Sequence, residues 1–151
     1  MRLIAILCTL FLSMPLYADS IQSYMKISNN IPQMEIKADA QSQAYARSAR
    51  QVLTITSESI AETMLEANLI AKEQTGKSLF CLPAGTILNA KLLDAIIKQS
   101  FSDQQNQQMP SLDKESVSKI AWAGVMKQFP CGSNNESSNQ QMAHLSALLN
   151  R

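Results

Sequence analysis

Histidine is almost missing from this chain, with His144 the only one in 151 residues. A zinc site or a histidine-activated nucleophile needs partners that a lone residue near the end of the chain does not have. Glycine occurs four times, too sparsely for a loop that cradles phosphate. Cysteine occurs three times, and no pair has the CxxC spacing of a redox site. Paired carboxylates such as Glu62 and Glu66 could do acid–base work, but at helical spacing they read as a solvated pair. These absences argue against an enzyme and against any cofactor or metal. Charge of one sign is lacking too, with 13 basic residues against 12 acidic ones. That balance argues against nucleic acid and against an anionic membrane surface as partners.

The N-terminus has the pattern of a secretory signal: Arg2, an apolar run over residues 3–12, then Leu16, Tyr17 and Ala18 before a cut that leaves Asp19 first. The run is too short to span a bilayer, and no second long apolar stretch follows, so no stable membrane span is expected. Residues 1–18 are therefore expected to be removed and the product to be periplasmic. Cys8 departs with the signal. A lipoprotein reading of Cys8 is weak, because almost no apolar region precedes it. Loss of Arg2 leaves the mature chain formally neutral. Two cysteines remain, Cys81 and Cys131, and an even number in an exported chain favours a disulfide.

Residues 19–34 are polar, with Asn29, Asn30 and Pro32 interrupting any pattern, and read as a loose leader. Residues 35–131 form the expected helical domain. Over residues 35–72 there is neither Pro nor Gly. Ala40, Ala44, Ala46, Ala49, Val52 and Leu53 give one apolar stripe, and Ile60, Met64, Ala67 and Ile70 or Ala71 give another. Between the stripes, Thr54, Ile55, Thr56 and Ser57 are poor helix formers that favour a break or bend. Ser57 or Ser59 would cap a second helix, and one helix or two remains open at this point. Gly76 is a helix stop, with Lys72 and Lys77 beside the negative pole.

Leu79, Phe80, Cys81 and Leu82 form an extended apolar strip, Pro83, Ala84 and Gly85 turn the chain, and Thr86 is expected to cap an amphipathic helix over residues 87–101. Lys91, Asp94 and Lys98 are expected to face outward. Residues 102–110 read as a Gln-rich loop. Asp113 is expected to cap the next helix, with Leu112 and Val117 placed as a hydrophobic staple, and Pro130 to end it. Residues 132–151 are a polar linker and a weak tail helix.

The succession of Gly76, then F-C-L-P-A-G-T over residues 80–86, an amphipathic helix, a polar loop, a Trp122-bearing helix and F-P-C at residues 129–131 resembles the Rap/Tai family of periplasmic immunity proteins. The resemblance covers residues 57–131, about half of the chain. It implies a small all-α bundle in which Cys81 and Cys131 are bonded, and a partner that is a cell-wall amidase effector of type VI secretion. Residues 60–64 hold no cysteine, so the family's further cysteine pair is absent, and only the fold and the one bridge carry over. The chain is also similar to the acid-stress chaperone HdeA, a small helical disulfide protein, although a single histidine supplies no pH trigger.

The leading expectation is thus an exported helical protein that blocks a protein partner, with immunity against an amidase toxin as its role. The alternatives are a periplasmic stress chaperone and an accessory component of an envelope secretion or conjugation system. Occlusion needs a rigid surface and an anchor. The candidate surfaces are the turn at Ala84 and Gly85 and the polar loop at Gln104, Gln105, Asn106, Gln107 and Gln108. A homodimer is compatible with the pattern, though no stripe is spare for it.

Overall fold

The computed structural model describes residues 20–108 and 111–132. The expected signal peptide, the tail helix and His144 lie outside the described residues. Among these, the chain is all-helical: four α-helices and one 3-10 turn, with a single disulfide. No helix among them is long and apolar enough to cross a membrane.

The first helix, α1 (Ile21–Glu35), corrects the expectation of a loose leader. Ser20 caps it by accepting from the Ser23 N–H. Ile21, Tyr24, Ser28 and Ile31 then fall on one buried stripe, and burial of that stripe outweighs the poor propensity of Asn29 and Asn30. Pro32 sits in the last turns, where its missing N–H removes one helical bond, to Ser28. The Gln43 side chain donates to the carbonyls of Glu35 and Lys37 and fixes the turn into the next helix.

The second helix, α2 (Ala40–Thr75), is one unbroken element of 36 residues, roughly 54 Å long at 1.5 Å per residue. Its cap is Asp39, whose carboxylate accepts from the Ser42 N–H at 2.8 Å and is thereby held below the usual carboxylate range. The break expected near Ser57 does not occur, and neither Ser57 nor Ser59 is a cap. Thr54 turns its hydroxyl back to the Arg50 carbonyl at 2.9 Å, so its side chain is satisfied inside the helix without a break. Ser57 is fully buried against α1. Ala46, Ala49 and Ala61 continue that buried face, and their small size lets neighbouring elements approach. Gly76 ends the helix at φ 73°, the left-handed position that favours glycine.

The apolar strip after Gly76 is held by a residue that sequence reasoning passed over. Asn68 Oδ1 accepts from the N–H groups of Leu79 and Phe80 at 2.7 and 3.1 Å. Phe80 is thereby directed into the core, where it meets Trp122 edge-on at 6.2 Å between ring centroids. The Cys81 N–H donates to the Phe129 carbonyl at 2.9 Å, and Cys81 is bonded to Cys131 with 4.9 Å between Cα atoms. The Thr86 N–H then closes a turn onto the Pro83 carbonyl, with Gly85 at φ 81° in its left-handed position.

The third helix, α3 (Ala90–Asn106), begins later and runs further than the sequence indicates. Asn89, not Thr86, is its cap, accepting from the Leu92 N–H at 3.0 Å. It absorbs Gln104, Gln105 and Asn106, whose composition reads as a loop. Gln is a good helix former, no Pro or Gly intervenes, and Asp103 receives both Gln99 and Lys127 at 2.7 and 2.9 Å. A 3-10 turn (Leu112–Lys114) contains Asp113, so the expected cap of the last helix is also corrected. That helix, α4 (Val117–Gln128), is capped by Ser116, whose hydroxyl accepts from the Lys119 N–H. Leu112 and Val117 are both in the core. The Ile21 N–H donates to the Glu115 carbonyl at 2.8 Å and ties the start of α1 to the start of α4.

Candidate functional site

The two surfaces expected from sequence do not form one site. Ala84 and Gly85 are exposed just before α3. Gln105, Asn106, Gln107 and Gln108 are exposed at its other end, with Gln104 half-buried. A helix of 17 residues separates them, roughly 25 Å along its axis. Glu62 and Glu66 are both exposed. Among the described residues, no group of three His, Cys, Asp or Glu side chains is placed to hold a metal ion.

What the fold builds instead is an open cleft of about 550 Å³ between α1, α2 and the first half of α3. Ile31 and Pro32 from α1, Leu53 from α2 and Ala90 from α3 give it an apolar floor. Arg50, Lys91 and Lys98 stand around it. Arg50 pairs with Glu35, and Lys98 pairs with Asp94 at 2.7 Å. Lys91 makes no ion pair among the described residues. Lys91 also lies in the first turn of α3, at the positive pole of that helix. The mouth of the cleft is close in sequence to the Ala84–Gly85 turn, and Ile87 between them is 72% exposed.

The back wall is a polar cluster that joins all three helices. The Tyr24 hydroxyl donates to Asp94 Oδ1 at 2.6 Å and lies 2.8 Å from the Ser57 hydroxyl. Tyr24 has one proton, and Asp94 takes it, so Ser57 donates to Tyr24. Asp94 therefore does not simply face outward, as its helical position suggested. It receives Tyr24 from within and Lys98 from the rim, so its charge is met by the protein itself.

The Tyr24 hydroxyl is held neutral well above its usual 10.0. Burial is the largest cause, the bond to Asp94 acts in the same direction, and the bond with Ser57 opposes both. Because the folded value is the raised one, the stability that Tyr24 contributes is complete below pH 10.0. It is lost as pH climbs from there toward the folded value. Tyr24→Phe is expected to cost about 2 kcal/mol at neutral pH, since the bond lost is one to a carboxylate. Above about pH 10 the gap between wild type and variant should close. Urea midpoints of both proteins across that range test this, and parallel curves with a constant gap would reject it.

No family model, curated protein or solved structure matches the chain. Its site is therefore assigned from its own geometry. Tyr24, Arg50 and Lys91 are the site residues that sequence reasoning missed. Tyr24 carried a faint signal, the spacing of residues 21, 24, 28 and 31 on one helical face, inside a stretch whose composition read as irregular.

Proposed function

We propose that this chain is a helical binding protein of the cell envelope that holds and blocks a protein partner. The observation that carries the reading is the cleft itself, an open apolar recess with a cationic rim. Its walls come from three helices joined by the Tyr24, Ser57 and Asp94 bonds. Such a recess gives an anchor residue somewhere to go, and a stiff frame reduces the entropy lost when the anchor enters. The disulfide supports an oxidising compartment. The partner we favour is a cell-wall amidase toxin, on the resemblance of residues 57–131 to periplasmic immunity proteins.

The test is affinity capture of the tagged, exported chain from periplasm, with partners identified by mass, followed by a protection assay. An amidase in the captured fraction, together with survival of cells that carry both genes, is the expected result. Capture of a different stable partner would retain the binding role and remove the immunity role. No specific partner at all would remove both.

A further inference from the structure

We infer that the cleft between α1, α2 and α3 receives a glutamate-bearing aliphatic segment of the protein partner. This rests on the reading of the chain as a binding protein and names what that partner must present. The charges decide the sign of the guest. Three cations stand at the cleft against one acid, Asp94, and Asp94 is already met by the Tyr24 hydroxyl and the Lys98 ammonium. Glu35 is already paired with Arg50. Among the described residues, Lys91 has no ion-pair partner, and it lies at the positive pole of α3. An entering cation would meet Lys91, whose charge no ion pair among the described residues offsets, whereas Arg50 and Lys98 already hold Glu35 and Asp94. A purely apolar guest would take water from Lys91 and return no partner.

The floor decides the stem. Ile31 and Leu53 are core side chains whose edges form part of the recess, and Pro32 and Ala90 extend it. Methylenes fit such a surface, and a carboxylate borne on them reaches the rim. Glutamate flanked by aliphatic residues satisfies both demands, and a bare inorganic anion satisfies only one. A space of about 550 Å³ is enough for the side chains of a short segment and lies in the range of ordinary ligand clefts.

The experiment uses the full exported chain labelled with nitrogen-15 and three probes. These are acetyl-Ala-Leu-Glu-Leu-Ala-amide, the same peptide with Gln in place of Glu, and hexanoate. The Glu peptide is expected to shift the amides of Ser28, Leu53, Thr54, Ala90 and Lys91 in a saturable way. The Gln peptide should bind roughly fivefold more weakly or worse, the scale of one partly exposed ion pair. Lys91→Glu should weaken the Glu peptide at least as much, and Lys91→Arg should retain it. Lys91 is exposed and makes no ion pair among the described residues, and a glutamate would suit the positive pole of α3 better than a lysine, so neither variant should lower the melting point.

Equal binding of the Glu and Gln peptides, or shifts centred elsewhere, would overturn the inference. Hexanoate binding as tightly as the Glu peptide would overturn a protein guest and assign a small fatty carboxylate instead. The two levels of the reading fail separately. A partner captured equally well by Lys91→Glu removes the cleft and leaves the binding role. Peptide binding at the cleft with no captured protein does the reverse.

Discussion

Joint replacement of Cys81 and Cys131 by serine is expected to lower stability by roughly 4 kcal/mol, the chain-entropy value for a closed loop of this size. The two residues are separated by 50 positions, and the loop they close contains α3, the 3-10 turn and α4. Unfolding the bonded chain leaves that loop closed. Unfolding the serine variant releases it, and the unfolded state gains the difference. The native fold has little to lose in return. The Cys81 N–H still reaches the Phe129 carbonyl, and Phe80 and Phe129 stay buried on either side. The variant should therefore fold to the same helical content at a much lower urea midpoint.

Both cysteines are exposed, so a reductant should reach the bond in the native protein and give the same midpoint as the serine pair. A midpoint shift worth less than about 1 kcal/mol would show that the strap contributes little. Free thiols at both Cys81 and Cys131 in the unreduced protein would show that it is not formed.

Gly124→Ala is expected to destabilise the protein by up to about 3 kcal/mol. Helix propensity alone predicts the opposite sign, since alanine exceeds glycine by about 1 kcal/mol in a helix interior. The crossing of α3 and α4 reverses it. A Cβ on Gly124 would stand 2.6 Å from Ile96 Cγ2 and closer still to the Ser100 hydroxyl oxygen. Ile96 is fully buried and stiff at its branched carbon, so relief requires the helices to separate. Separation would also loosen Ile120, Ala121 and Val125, which belong to the same packed core. Ser100→Ala in the same background removes the nearer atom and should recover part of the loss. Urea unfolding of the three variants measures each difference, and a Gly124→Ala protein more stable than wild type would reject the close crossing.

Much of the frame was legible before any coordinate. Gly76 ends its helix where an achiral residue and a neighbouring lysine said it would, because both signals are local. The turn through Pro83, Ala84 and Gly85 was legible for the same reason, as was the amphipathic character of α3, and Cys81 and Cys131 are bonded as expected. The errors share a cause. Tyr24 is buried because of Ser57 and Asp94, which lie 33 and 70 positions away, so nothing beside it in sequence marks residues 21–35 as structured. Thr54 and Ser57 looked like a break because their hydroxyls compete for backbone bonds. One bends back within the helix and the other is taken up by α1. The cleft was illegible for a related reason, since Pro32, Arg50 and Lys91 converge only when three helices pack.

Hydrophobic periodicity and turn chemistry determined by themselves that the chain is helical, because each acts within a few residues, and the two cysteines beyond residue 18 could be matched by simple pairing. Tertiary structure alone decided that the polar segment after Ser20 becomes α1, that α2 runs unbroken, that Gly124 must stay small and that a cationic recess opens beside Lys91. Each of these depends on contacts between residues distant in the chain, whose energies outweigh local preferences of about 1 kcal/mol or less.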